Sequence, residues 1–392
     1  FVGARLKPKS YPLGDKSYIL QNTSGVFKDV TREVAPALSD LGMVTSALWS
    51  DFDHDGVPDL IVVGEWMQIT FLKNDKGKFV DITKSTATVG LTGFWNSING
   101  ADFDQDGDID YIVGNFGENN DLKASETEPL KIVAKDFDNN GKIDPIIGYY
   151  VNGTSYPLAT RDALISQIAS MKKRFTFYKD YGETTFNDMF SEEELKGAIR
   201  KEATTLKSIY LENKGNGKFD QKELPFAAQI APVYGISIAD LDMDGALDVV
   251  LTGNRTDTET LGGSINSSIG TVLMGDGQGN FQSLPTNRSG FKASRDARGT
   301  AQLNSIEGVG FIIANNDSAL QYFDIKEKGK LIPIKPLDSY AMIELQNGKT
   351  YRHEFYYGSG YLTQNSRAFR IPEKAVKITI FDTKGGSRNA LE

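Results

Sequence analysis

The sequence predicts an all-β fold, a β-propeller of four-stranded blades with a helical insertion and a small C-terminal β module. Three observations support this prediction: a nine-residue acidic motif that recurs four times, an apolar strand after each copy, and a recurrent hairpin pattern. Repeats of four short strands at such spacings are typical of propeller blades. We expect the propeller over residues 1–334, the helical insertion at about 160–207 and the module over residues 336–390.

The acidic motif reads DFDHDGVPD at residues 51–59, DFDQDGDID at 102–110, DFDNNGKID at 136–144 and DLDMDGALD at 240–248. Each copy has an acid or amide at positions 1, 3, 5 and 9 and a glycine at position 6. So many like charges in a short loop are unfavourable unless a cation is bound, and Ca²⁺ takes about six to eight oxygen ligands. Glycine at position 6 permits the left-handed turn that folds the loop around an ion. The sequence therefore predicts four Ca²⁺ sites.

The predicted ligands are the side chains at positions 1, 3, 5 and 9 and the backbone carbonyl at position 7, as in the first half of an EF-hand loop. The glutamate that an EF-hand carries at position 12 is replaced by an apolar residue in every copy. The predicted ligands are Asp51, Asp53, Asp55, Val57, Asp59, Asp102, Asp104, Asp106, Asp108, Asp110, Asp136, Asp138, Asn140, Lys142, Asp144, Asp240, Asp242, Asp244, Ala246 and Asp248.

Strand patterns surround the acidic motifs. An apolar strand ending in Gly follows each copy, as at residues 60–64, so the motif joins two strands and not two helices. A second pattern reads strand, Asn or Asp, a turn with Gly, then Phe, and predicts hairpins. Its copies lie at residues 18–27, 70–79, 209–219 and 272–281.

The long gap between the third and fourth motifs has helical features. Apolar residues recur at helical spacing after Thr160, and a capping box at residues 191–194 precedes another such series. We therefore expect a helical insertion between the strand pairs of the third motif-bearing blade. A fifth unit, at about residues 299–334, lacks the acids, and we expect no ion there.

The composition excludes several kinds of site. Cys is absent and the chain has 2 His, which excludes disulfides, thiolate metal sites and His-rich zinc or iron sites. The net charge is -9 without a dense basic stripe, so we do not expect nucleic-acid binding. The longest apolar runs, such as residues 60–63, are far shorter than the ~20 residues that a transmembrane helix needs.

On these motifs, the chain resembles the FG-GAP/VCBS-repeat β-propellers of the integrin type, and residues 116–117 preserve the Phe-Gly pair. The run GSGYLTQNS at residues 358–366 resembles the ASPIC/UnbV module. Residues 156–162 and the insertion resemble large VCBS-repeat proteins of Bacteroidetes. The resemblance implies Ca²⁺ in the blade loops and an exported protein, periplasmic or at the outer membrane or cell surface of a bacterium. Residues 1–3 match the strand after a loop, so we expect the repeats to begin upstream of them.

The leading functional hypothesis is a non-enzymatic, Ca²⁺-binding surface or scaffold protein that recognises a glycan or a protein. The sequence has no GxSxG, P-loop or HExxH signature, and it predicts no catalytic residue. The alternative is a carbohydrate-active hydrolase or lyase on a calcium-stabilised propeller, which needs acids or bases outside the metal loops. Its candidate residues are Glu65, Glu118, Asp121, Arg161 and Asp162.

Two further sets of residues have alternative roles. Trp49, Trp66 and Trp95 either form a sugar-binding platform or pack between blades. A third functional hypothesis is a polynucleotide binder that uses the basic residues of the C-terminal module. Those residues are Arg352, Arg367 and Arg370.

Overall fold

The computed structural model describes residues 1–258, 263–326 and 329–391. It confirms an all-β fold, with 42% of residues in strands and 9% in helices. The strands form many small antiparallel sheets rather than one large one.

Four sheets in the described part of the chain carry an acidic motif, and we number them 1 to 4 in motif order, with acidic loops 1 to 4. Their strands are Met43–Ser50, Asp59–Gln68, Thr70–Asp75, Lys78–Asp81 and Thr92–Phe94 in sheet 1; Ser97–Ala101, Asp110–Gly114, Ile209–Asn213 and Phe219–Glu223 in sheet 2; Leu130–Lys135, Asp144–Val151, Thr154–Pro157 and Ile199–Ala203 in sheet 3; and Val233–Ala239, Asp248–Gly253, Thr271–Gly275 and Phe281–Leu284 in sheet 4.

The remaining strands form sheet 5, a terminal sheet and two-stranded pairs. Sheet 5 has Ala297–Ser305, Gly308–Asn315 and Gln321–Lys326; the terminal sheet has Asp338–Leu345, Thr350–Glu354, Ala375–Asp382 and Ser387–Asn389; the pairs are Leu20–Thr23 with Val26–Asp29 and Leu331–Pro333 with Ala368–Arg370.

The helices are short. The α-helices are Thr31–Val34, Arg161–Gln167, Met171–Arg174, Tyr178–Gly182 and Thr286–Ser289, and the 3₁₀ helices are Pro36–Asp40, Thr83–Ser85 and Phe226–Ala228. Among the residues described, none of these helices has the length and apolar character needed to cross a membrane.

Each acidic loop connects two antiparallel neighbours, as the sequence predicts. The residue before position 1 pairs with position 9 in every copy, for example Ser50 with Asp59 and Ala239 with Asp248. This register brings the two ends of the loop to one place. The four hairpins that follow the Asn-Gly pattern also form.

Sheet 3 interrupts sheet 2, which corrects the predicted blade assignment. Strand Ile209–Asn213 pairs with Asp110–Gly114 and therefore completes sheet 2, not the sheet of the third motif. Sheet 3 has outer strands of its own within the insertion. The chain leaves sheet 2 at the Phe-Gly pair, where Gly117 adopts a left-handed conformation with φ +84. The Gly117 N–H donates to Leu206 O, at the other end of the inserted segment, at 2.8 Å. The two ends of the inserted segment are thus joined.

The helical part of the insertion is shorter than predicted. Helices occupy parts of residues 161–182, whereas residues 199–203 form a strand. The capping box does form, with the Ser191 N–H donating to Glu194 Oε2 at 2.7 Å, but it stabilises one turn only. Residues after it pair with the open edge of Leu130–Lys135, because tertiary pairing outweighs the local helical pattern.

The C-terminal strands are not packed as a separate unit. Ile343 and Ile380 of the terminal sheet share one buried cluster with Phe103 of loop 2 and Val249 of sheet 4. Residues 358–366 lie along the edge strand of sheet 5, where the Ser366 N–H donates to Gln302 O at 2.9 Å. The apolar face of the terminal sheet is thus covered by the repeats, and a module over residues 336–390 stays a prediction.

The first strands of sheets 1, 2, 4 and 5 lie side by side in that order. Loops 1, 2 and 4 consequently neighbour one another. His54 Nδ1 lies 2.9 Å from Asp108 Oδ1, and Gln105 Nε2 donates to Gly245 O at 2.8 Å. Both bridging side chains occupy position 4 of their loops, so this position links loop 1 to loop 2 and loop 2 to loop 4.

Candidate metal centres

Each acidic loop gathers the carboxylates of positions 1, 3 and 9. In every loop one oxygen from each of these three residues lies within 4.8 Å of the other two. Positions 1 and 9 are brought together by the strand register, and position 3 reaches in from the loop. The four clusters are Asp51, Asp53 and Asp59; Asp102, Asp104 and Asp110; Asp136, Asp138 and Asp144; and Asp240, Asp242 and Asp248.

Two left-handed residues fold each loop. Gly56 at position 6 has φ +87, and His54 at position 4 has φ +62; the other three loops repeat both values closely. The Asp51 carboxylate accepts hydrogen bonds of 2.9 Å from the N–H groups of Asp55 and Gly56. The glycine was evident from the sequence, but position 4, held by His, Gln, Asn and Met, has no common residue type that could reveal its conformation.

Position 5 supports the turn of each loop, and its side chains stay predictions as ligands. The carboxylates of Asp55, Asp106 and Asp244 lie outside the four clusters. Asp55 Oδ1 instead accepts the Val57 N–H at 3.0 Å, and the same bond from position 7 to position 5 recurs in the other loops. This bond tightens the turn. The backbone carbonyls of position 7 and the Asn140 amide stay predictions as ligands.

Burial makes the clustered carboxylates hard to ionise. It is the largest cause that raises the pKa of Asp59, Asp102 and Asp248 to about 7 and that of Asp110 to about 8. Charge from neighbouring carboxylates in the same loop raises these pKa values further. Without a cation, protons would therefore neutralise part of the clusters in loops 1, 2 and 4 near neutral pH.

Several buried carboxylate oxygens have no hydrogen-bond partner among the residues that the structure describes. They are Asp53 Oδ1 and Asp59 Oδ2 in loop 1, Asp138 Oδ1 in loop 3 and Asp240 Oδ1 in loop 4. Nearly all buried polar atoms in proteins are paired, because an unpaired one retains its full desolvation cost. Hard oxygen donors at this spacing are a suitable ligand set for Ca²⁺.

Two cationic side chains of the protein also bind the carboxylates of loop 1. Lys73 pairs with Asp53 and, at 3.1 Å, with Asp55. Arg352, which is 1% exposed, reaches from the terminal sheet to place Nη2 2.7 Å from Asp51 Oδ2. The Arg352 N–H also donates to Asp102 Oδ2 at 2.8 Å. One C-terminal residue therefore contacts position 1 of loops 1 and 2, a long-range link without any signal in the sequence.

Two Asn residues of the hairpin pattern, Asn74 and Asn213, tie their hairpins to acidic loops. The Asn213 N–H donates to Asp110 Oδ1 at 2.7 Å, and its side-chain amide donates to Ile109 O at 3.2 Å and Phe52 O at 2.9 Å. Asn74 makes the equivalent bonds to Asp59 and Pro58. Sequence reasoning found this Asn but gave it only a role in the turn.

Replacing Asn213 should destabilise the junction of loops 1 and 2. In Asn213→Ala, the buried carbonyls of Phe52 and Ile109 lose their shared donor, and we expect a loss of about 2 kcal/mol in the free energy of unfolding. Urea denaturation measures this change. Asn22→Ala is the matched control, because exposed Asn22 bonds only the Gly25 N–H within its own turn. Equal losses in both variants would contradict the proposed tie.

The tryptophans are packing residues. Trp66 and Trp95 are 4% and 0% exposed, and Trp95 Nε1 donates to Met67 O at 3.1 Å. Trp49 packs edge-on against Phe79, with ring centroids 5.4 Å apart. Burial therefore excludes a sugar platform built on Trp66 and Trp95, while the half-buried Trp49 packs within sheet 1.

Several of the candidate enzymatic and basic residues have structural partners. Glu65 pairs with Arg5, and Arg161 pairs with Asp162 while donating to Phe175 O. Arg352 is buried, and the Arg367 guanidinium lies over the Tyr357 ring at 3.5 Å. Arg352 is thus unavailable to a polynucleotide.

The family comparison covers the first two acidic loops. The family described as FG-GAP-like repeat matches residues 51–113. These residues run from the start of loop 1 through most of strand Asp110–Gly114. No curated protein matches the chain. An FG-GAP-like repeat within a β-rich fold is therefore established, and the ASPIC/UnbV and Bacteroidetes resemblances stay predictions.

Proposed function

We propose that this chain is a calcium-stabilised, non-enzymatic binding or scaffold protein, in which each of the four acidic loops binds one Ca²⁺. The observation that carries the proposal is the fourfold recurrence of three converging carboxylates. The unpartnered buried oxygens in loops 1, 3 and 4 support it, because a cation would satisfy them.

The ions would set the geometry of one face of the molecule. Position 9 of loops 1, 2 and 4 also accepts an N–H from the next hairpin, as Asp248 does from Gly275 at 2.9 Å. An ion that holds position 9 therefore also holds that hairpin. Because loops 1, 2 and 4 are bridged by position 4 side chains, bound ions would stiffen a continuous surface for a glycan or protein partner.

We further propose that the protein is exported. Calcium sites in extracellular modules typically have dissociation constants of about 10⁻⁴–10⁻³ M, so they fill at the millimolar calcium found outside cells. The family resemblance supports the same location.

Calorimetric titration with Ca²⁺ at two pH values tests the proposal. Four sites are expected at about pH 8. The raised pKa values lie above the ordinary value of 3.8, so protons compete with Ca²⁺ as the pH falls, and the apparent affinity should drop by about tenfold per pH unit below about pH 6.

The stability of the metal-free protein should have the opposite trend. The folded state binds these protons more tightly than the unfolded state does, so the free energy of unfolding should fall as the pH rises from about 4 to 8.

A single-site variant checks the assignment. Asp248→Asn should remove one site from the titration, whereas Asp317→Asn, which changes an exposed acid outside the loops, should leave all four. Absence of binding heat at about pH 8, or an affinity that does not change with pH, would refute calcium binding by these loops.

A further inference from the structure

A cavity of about 390 Å³ lies between sheet 4, sheet 5 and the terminal sheet. Asp240 and Met243 of loop 4 line one side, Gln302 of sheet 5 another, and Tyr351, His353 and Phe369 the third. A smaller cavity of about 90 Å³ shares Gln302, His353 and Phe369 with it. The volume lies within the usual range for small-ligand sites, about 300–1,000 Å³.

Two polar side chains in this cavity have no hydrogen bond to any residue that the structure describes. Tyr351 is 3% exposed, yet among the described residues its hydroxyl has no hydrogen-bond partner. The His353 ring packs against Phe355 and Phe369, at centroid distances of 5.4 and 4.9 Å, and its nitrogens have no partner in the described part of the chain either. Both groups are therefore available to hydrogen-bond a ligand that enters the cavity.

Three polar side chains on the cavity wall, Tyr351, His353 and Gln302, are uncharged at neutral pH. Burial lowers the pKa of His353 to about 4, so its imidazole is neutral and offers one donor and one acceptor. The Gln302 amide is held in place, since its Nε2 donates to Asn304 Oδ1 at 3.1 Å. The Tyr351 hydroxyl can both donate and accept.

The charges at the cavity balance. The lining residues include two cationic side chains, Lys330 and Arg370, and two anionic ones, Asp240 and Glu373. The site therefore has no excess charge of either sign that would select an ion. An apolar ligand would leave the tyrosine hydroxyl and the imidazole unpaired. A sugar ring has both hydroxyls that donate and accept and a C–H face that packs on an aromatic ring such as Phe369.

We propose that this cavity binds a neutral sugar residue, with Tyr351, His353 and Gln302 as its polar contacts and Phe369 as its stacking surface. This inference rests on the proposed function, because the sugar site would be the glycan-binding site of the calcium-stabilised protein. The wall includes Asp240 of loop 4, so the ion proposed for that loop would hold one side of the site.

Ligand-detected NMR on the full chain in millimolar Ca²⁺ tests the site. The probes are the methyl glycosides of glucose, galactose, mannose and xylose, with glucuronate as the charged comparison. At least one neutral glycoside should bind, and Tyr351→Phe should weaken that binding by about tenfold. Tyr322→Phe is the control, because Tyr322 is 60% exposed, does not line the cavity and has no hydroxyl hydrogen bond among the described residues.

The same variants separate the possible failures. Since the Tyr351 hydroxyl has no hydrogen-bond partner among the described residues, Tyr351→Phe should melt at or above the wild-type temperature, so lost binding would not reflect unfolding. Binding of no neutral glycoside, a preference for glucuronate, or equal affinity in Tyr351→Phe and wild type would overturn the inference. If the calcium titration still gives four sites, the proposed calcium sites remain and only the sugar site fails.

Discussion

Removing calcium is expected to lower the melting temperature more than any single substitution would. When free Ca²⁺ is ten times the dissociation constant, each site stabilises the fold by about 1.4 kcal/mol, so four sites contribute about 6 kcal/mol. That sum is comparable with the whole stability of many proteins, about 5–15 kcal/mol. Without the ions, buried oxygens such as Asp138 Oδ1 and Asp240 Oδ1 lack any partner in the described structure.

Differential scanning calorimetry in EDTA and in millimolar Ca²⁺ measures this effect. Mg²⁺ at the same concentration is the control, because it demands near-ideal octahedral geometry and gives up its water reluctantly. We expect a large upward shift with Ca²⁺ and a small one with Mg²⁺. Identical melting curves in EDTA and Ca²⁺ would show that the loops are stable without an ion.

Arg352→Met should cost about 3–5 kcal/mol in the free energy of unfolding in EDTA. The guanidinium lies 2.7 Å from Asp51 and 3.3 Å from Glu354, and both carboxylates are less than 10% exposed. Removing one partner of a buried ion pair leaves uncompensated charge in the interior, and this is the costly change. The methionine also loses the cation–π contact with the Tyr340 ring, at 4.0 Å.

Urea denaturation of three variants tests this prediction. Lys377→Met, which removes the exposed pair with Glu344 in the same sheet, should cost at most about 1 kcal/mol. Arg352→Met with Glu354→Gln should recover part of the loss, because one unpaired charge is removed. The loss should be smaller in Ca²⁺, since an ion in loop 1 would compensate Asp51. A cost for Arg352→Met no larger than that for Lys377→Met would contradict the buried role.

The parts of the site that depend on local sequence were predictable. Acids at positions 1, 3 and 9 and the glycine at position 6 lie within one loop, and the strand register that closes the loop follows from the apolar residues after it. The left-handed position 4 was not predictable, because His54 and Met243 share no chemistry that favours this conformation.

The parts that depend on distant contacts were not predictable. Arg352 reaches Asp51 across 301 residues, and nothing in its neighbours distinguishes it from a surface arginine. The hairpin at residues 209–223 was assigned to the nearest preceding motif, whereas it pairs with a strand beyond the whole inserted sheet. The capping box at Ser191 formed as its sequence indicates, but the following residues joined a sheet edge that was available only in the folded protein.

The nesting of sheet 3 inside sheet 2 has a consequence for biosynthesis. A ribosome releases the chain from its N-terminus, so strand Asp110–Gly114 emerges well before its partner Ile209–Asn213. During that interval the nascent protein has an unpaired edge on a strand whose residues are all buried in the folded protein, and another chain could add to that edge. We expect the inserted segment to complete its own sheet first, and the cell to protect the waiting edge with chaperones until translation passes residue 213.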